Sequence, residues 1–196
     1  EFTEAALWWR RSARLGHAQA QLELGRLLEQ GVGIPADIQE AVHYFEQAAN
    51  QGLTDADYHL GVLSFLGVGR PQNFSEAKDH LERAAGSGYA HANVLLGLLI
   101  ENGMAGFQCT ETAFHYFRQA AEAGEPFGQY HLGRALYQGM GTEPDYAAAR
   151  HWYQVAAEQD VHSVQSLHPW FPVLPHWSGK TAEETHLRPG LTPENP

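Results

Sequence analysis

Apolar and small residues recur along this chain with two superimposed periods. The short one is helical. In residues 17–52, Ala20, Leu24, Leu27 and Leu28 fall three and four residues apart and share one helix face. Gly31-Val32-Gly33-Ile34-Pro35 interrupts that pattern. Asp37 then stands where it can cap a second helix, in which Ala41, Tyr44, Phe45, Ala48 and Ala49 form the apolar side. Gly52 sits where a left-handed residue would close it. The pattern predicts a helix–loop–helix hairpin.

The long period is 36 residues. Leu-Gly recurs at Leu24-Gly25, Leu60-Gly61, Leu96-Gly97 and Leu132-Gly133. Ala5, Ala41, Ala77, Ala113 and Ala149 keep the same frame, as do Gly31, Gly67, Gly103 and Gly139. The hairpin therefore repeats over 17–52, 53–88, 89–124 and 125–160, with Asn73, Thr110 and Asp145 as expected caps of the later second helices. Residues 1–16 read as a second helix without a first, because Trp8-Trp9 falls in the column of Tyr44-Phe45, Tyr116-Phe117 and Trp152-Tyr153. The chain thus opens in mid-repeat, as a piece of a longer array would. Gly and Ala columns let helix backbones approach closely, and Phe45, Phe117 and Tyr153 fill the space opposite them. One hairpin cannot bury its own apolar face, so stability accrues along the stack.

These residues resemble the Sel1-like repeat family, a relative of the tetratricopeptide repeats. Its pattern is roughly Ala-x-x-x-Leu-Gly-x-x-Tyr-x-x-Gly-x-Gly, followed by Ala-x-x-(Trp/Tyr)-(Tyr/Phe)-x-x-Ala-Ala-x-x-Gly. Frame four matches at Leu132-Gly133, Gly139-Met140-Gly141, Ala149, Trp152-Tyr153 and Ala156-Ala157. The chain departs from the pattern at Ala105 (a loop Gly), His80 (an aromatic slot), Asp160 (the terminal Gly), and Leu28 and Ser64 (a common Tyr). The resemblance implies an all-α fold, a right-handed α-solenoid of helix-turn-helix repeats. It also implies a non-enzymatic scaffold or adaptor for protein–protein interaction, without a cofactor.

Beyond Asp160 the frame decays. Residues 161–196 carry Pro169, Pro172, Pro175, Pro189, Pro193 and Pro196 with Trp170, Phe171 and Trp177, and so much proline prevents another regular repeat. Either 161–178 packs its aromatics over the last helix as a cap, or the tail is a partner-binding or disordered strip.

Composition narrows the function classes. The 196 residues are 43% hydrophobic, enough for a core, and the formal charge of -11 disfavours a general nucleic-acid or anionic-membrane surface. No apolar run approaches the roughly 18 residues that span a bilayer. One cysteine, Cys109, excludes an internal disulfide framework, including the two-Cys-per-repeat subgroup of the family. Compartment stays open between cytoplasmic and periplasmic or lumenal.

In a helical solenoid the first helices line the concave surface, and positions that vary from frame to frame mark a candidate partner site. That stripe comprises Glu23 and Arg26; His59, Val62 and Leu66; Leu95, Leu98 and Asn102; and His131, Arg134 and Gln138. Within each frame the spacing of three and four places them on one face. An apolar middle with charged ends suits a partner peptide or helix. The competing reading is that Val62, Leu66, Leu95 and Leu98 pack between adjacent first helices.

Twelve histidines raise the question of a metal. Column mates such as His59 and His131, or His43, His115 and His151, lie on different repeats. Helix axes stand about 8–10 Å apart, too far for mates to share an ion with bonds near 2.1 Å; no metal site is expected. No phosphate loop or nucleophile elbow is present. Cys109 near a helix N-terminus and the Arg10, Arg11, Arg14 cluster read as incidental and as a solvated face. Two alternatives to the scaffold remain: a hydrolase-like enzyme with a cleft in the solenoid, and self-association through exposed terminal repeats.

Overall fold

The computed structural model describes residues 2–106 and 108–159. Among them are nine α-helices and no strand. Helix α1 spans Phe2–Arg14, and the hairpins follow as α2 (Ala18–Gln30) with α3 (Ile38–Asn50), α4 (Thr54–Leu66) with α5 (Phe74–Gly86), α6 (Ala90–Glu101) with α7 (Thr110–Glu122), and α8 (Pro126–Gln138) with α9 (Tyr146–Glu158). Each first helix packs on its hairpin partner and on the second helix of the preceding repeat, giving an α-solenoid. The expected cap or strip at 161–196 lies outside the described residues.

The caps follow the sequence closely. Asp37, Asn73 and Asp145 accept hydrogen bonds from the backbone N–H of Glu40, Glu76 and Ala148, each satisfying one orphan donor of its helix. Frame three differs from expectation. Thr110 is the first helical residue of α7, and the cap position belongs to Cys109, whose side chain makes no capping bond. The first helices of frames one, two and four end on left-handed glycines, Gly31, Gly67 and Gly139. In frame three α6 stops one residue earlier, on Asn102. Ala105 replaces the second loop glycine there, and Gly106, one position further on, has φ +104°. The loop is re-registered around a residue that has a Cβ.

The small columns mark close approaches. A Cβ on Gly25 would lie 2.6 Å from the Phe45 ring, and Gly97 faces the Phe117 ring in the same way. Gly128 of α8 lies against Ala120 and the backbone of Ala121 in α7, so this column also sets the distance between successive repeats. Phe45 and Phe117 are fully buried. The core is a layered strip along the stack, its largest cluster running from Tyr58 and Val62 of α4 through α5 to α8 and reaching Ala149 of α9.

Candidate functional site

The first helices α2, α4, α6 and α8, with Asn102 at the C-cap of α6, carry the eleven stripe positions, and the structure divides them. His59, Val62, Leu95, Leu98 and His131 are buried. Val62 and Leu95 are each 1% exposed and Leu98 is 9% exposed, all within the main core cluster. These three therefore pack between helices, the competing reading of the sequence. The two histidines are also interior. His59 stacks on Phe45 and His131 on Phe117. His59 Nδ1 also lies 3.1 Å from Glu29 Oε2, within ion-pair range when the imidazole is protonated.

The other six reach solvent. Arg26, Asn102 and Gln138 are exposed, while Glu23, Leu66 and Arg134 are half-buried. Glu23 accepts a hydrogen bond from Gln19 Nε2 at 3.0 Å and lies 3.9 Å from Arg26 Nη1. Arg134 Nη2 donates to Glu101 Oε1 at 2.7 Å, which fixes the guanidinium in the gap between α6 and α8. Asn102 Nδ2 donates to the Leu98 carbonyl at 2.8 Å.

Tyr89 joins this row although the stripe did not include it. It caps α6, half-buried; burial raises its phenol pKa above the usual value, and Asp55, which accepts its hydrogen bond, pushes it further. Arg26 and Glu23 are near enough to act on the same hydroxyl. Residues of α2, α4 and α6 thus meet around one phenol. Tyr89 also stacks on Tyr58, 5.1 Å between centroids. Tyr58 is deeply buried, and burial, with Glu125 second, raises its pKa strongly. His91 Nδ1 lies 3.1 Å from Glu125 Oε1, the residue that caps α8 through the N–H of Gly128. Position 89 is occupied by His17, Leu53 and Glu125 in the other frames; that variability was the available signal.

A second polar column was also missed. Gln21, Asp57, Asn93 and Gln129 stand 36 residues apart and are all buried. Most are held by the last turn of the second helix in their own repeat. Gln21 donates to Gln47 at 2.9 Å and accepts from Gln51 at 2.7 Å, and Gln129 accepts from Gln159 at 3.0 Å. Buried polar groups need such partners. No described group of His, Cys, Asp and Glu is arranged to hold a metal ion, and no described helix is long and apolar enough to cross a membrane. Cys109 Sγ accepts from Thr112 Oγ1 at 3.1 Å and lies 3.3 Å from Glu111 Oε2.

The Sel1 repeat model matches residues 2–17, 18–53, 54–89, 90–125 and 126–161. The crystal structure of a Sel1 repeat protein from Oxalobacter formigenes superposes with a TM-score of 0.78 at 29% identity, covering 84% of this chain and 66% of that one. A protective antigen of uropathogenic Escherichia coli strains, displaying an SLR fold, gives 0.75 at 37% identity, covering 83% of this chain and 35% of that one. Helicobacter pylori cysteine rich protein B, at 18% identity and TM-score 0.52, shares the fold. This chain thus spans about two thirds and one third of the first two proteins. None of the curated proteins matches it.

Proposed function

The chain belongs to the Sel1 repeat family, whose members are generally protein-interaction scaffolds, and from that premise we propose that it is a non-enzymatic adaptor that holds a partner peptide or helix along its first helices, on the concave side of the solenoid. The observation that carries this reading is the row of solvent-reaching groups in register on successive first helices. Glu23, Arg26, Asp55 and Tyr89 form one charged end, Leu66 and Asn102 the middle, and Arg134 and Gln138 the other end. Charged ends fix register and orientation of an extended or helical ligand, while the half-exposed Leu66 supplies apolar contact. Asp55 and Tyr89 replace the buried hydrophobics as the groups a partner meets. Affinity capture of a partner by the full chain, repeated with Arg26→Glu/Gln138→Glu, tests it. Loss of capture with an unchanged melting temperature supports the site, and undiminished capture refutes it.

A further inference from the structure

The second helices carry a feature independent of that site. In the column of aromatic pairs, frame two alone reads His80-Leu81, against Trp8-Trp9, Tyr44-Phe45, Tyr116-Phe117 and Trp152-Tyr153. In frame three the first member of the pair lies toward the preceding second helix. Tyr116 of α7 packs against the core and feels the charges of Lys78 and Glu82 on α5, and Tyr44 is 8% exposed. In frame two an imidazole, smaller than the phenol or indole of the other frames, stands at this position. A cleft of about 460 Å³ lies there, lined by Glu46, Ala49 and Asn50 of α3, Asp57 and Leu60 of α4, and His80 and Arg83 of α5. That volume is in the range of small-molecule sites, about 300–1,000 Å³.

The floor of the cleft is charged. Asp57 is the one acidic member of the column Gln21, Asp57, Asn93, Gln129, and only 3% of it is exposed. Burial by itself raises its pKa. Hydrogen bonds from His80 and Arg83 outweigh that, so the carboxyl sits below the usual aspartate value and is an anion at neutral pH. Those bonds converge on one oxygen: His80 Nδ1 at 2.8 Å and Arg83 Nε at 2.9 Å, both on Oδ1. Arg83 Nη2 also lies 2.8 Å from that Oδ1 and 2.7 Å from His80 Nδ1; with the imidazole donating to Asp57, the Arg83–His80 approach is that of two donors meeting at one acceptor. All three contacts fall on Oδ1, and Oδ2 is the carboxylate oxygen they do not use. On the wall, Glu46 lies 3.7 Å from Arg70, whose guanidinium is already engaged by Glu76. Three carboxylates (Glu46, Asp57, Glu76) therefore stand with two guanidinium groups (Arg70, Arg83) and the His80 imidazole.

We propose that this cleft binds an organic cation that donates hydrogen bonds, a guanidinium or primary ammonium, whose N–H groups reach Glu46 and Asp57 Oδ2. The chemistry is shared by an arginine or lysine side chain of a polypeptide and by a free polyamine. An isolated, solvated ion pair is weak. A buried carboxylate at the floor and a second one at the rim, engaging the same cation together, raise its worth.

The test is a titration of the full chain, followed by amide NMR shifts and calorimetry, with acetyl-Gly-Arg-Gly-amide, its citrulline counterpart and spermidine. The expected result is saturable shifts around Asn50 and Arg83 with the arginine peptide or spermidine, and none with the citrulline peptide; whichever cation binds more tightly identifies the source. Glu46→Gln, at the rim, weakens binding about fivefold. His80→Tyr restores the aromatic of the other frames, keeps both Arg83 bonds to Asp57, and abolishes binding while the circular dichroism remains that of the folded chain. Capture at the first helices is unchanged by His80→Tyr, which separates this site from the partner site. Equal binding of the citrulline peptide, binding that survives His80→Tyr, or no binding of either cation at millimolar concentration overturns the proposal.

Discussion

The imidazole of His59 lies flat on the ring of Phe45, with 4.6 Å between centroids and 9° between planes. Phe45 belongs to α3 and His59 to α4, while the Phe45 ring also faces the bare backbone of Gly25 in α2. One ring thus joins three consecutive helices across a repeat boundary. The arrangement recurs 72 residues on, where His131 stacks on Phe117 at 4.9 Å and 17° and Phe117 faces Gly97. The histidines of this column are packing elements that complete an aromatic layer. Removing Phe45 is expected to cost about 3–5 kcal/mol. A double-mutant cycle of Phe45→Leu and His59→Ala, read by urea unfolding, should return a coupling of about 0.5–1.5 kcal/mol; additivity would mean the stack contributes nothing of its own.

Two glycine-to-alanine substitutions should move stability in opposite directions. At Gly25 the new Cβ would sit 2.6 Å from the Phe45 ring, which has no room to retreat in a close-packed layer. Gly25→Ala is expected to destabilise by about 1–3 kcal/mol. Gly86, the last residue of α5, has nothing within 4 Å of its would-be Cβ. Gly86→Ala should stabilise by about 0.5–1 kcal/mol through lower unfolded-state entropy and better helix propensity. Denaturant midpoints of the two variants against the parent check both signs.

Asp57 gives the protein a defined acid sensitivity. Its folded pKa lies below the unfolded value through the hydrogen bonds of His80 and Arg83, despite burial. Such a group adds stability at pH above the unfolded pKa, about 3.9, and loses it as pH falls through the folded pKa. The stability difference between the parent and Asp57→Asn should therefore be largest near neutrality and shrink as pH drops below about 4. A difference independent of pH would contradict the pairing.

Substitution by glutamate separates surface from core among the first-helix residues. Val62→Glu and Leu95→Glu bury a charge at positions 1% exposed and should prevent cooperative folding. Arg26→Glu and Gln138→Glu lie at exposed positions and should leave melting within about 0.5 kcal/mol of the parent. Circular dichroism melts of the four variants make the comparison.

The repeat was legible because it is written in small residues, which cannot be exchanged where backbones touch. Leu24-Gly25 and its mates, the caps at Asp37, Asn73 and Asp145, and the aromatic pairs all carry steric or hydrogen-bonding requirements that recur every 36 residues. The partner stripe was legible only in part. Helical spacing places Val62, Leu66, Leu95 and Leu98 on one face, but it does not say how wide the packing interface of a first helix is. In a stack each first helix has neighbours on both sides, so Val62 and Leu95 are covered while Leu66, near the end of α4, is half open. Tyr89 was missed because it caps a helix at the frame boundary, and Asp57 because a polar column inside a helix looks like surface until its partners on the second helix are known. Thr110 carries a better capping side chain than Cys109, yet the helix starts at Thr110 itself.

The most direct measurement is photo-crosslinking from single sites of the full chain bound to its captured partner. A photoreactive residue at position 26, 66, 102 or 138 should crosslink to the partner. The same residue at position 43, 115 or 151, exposed on the second helices α3, α7 and α9, should not. Crosslinks confined to the second-helix positions or to residues 161–196 would contradict partner binding along the first helices.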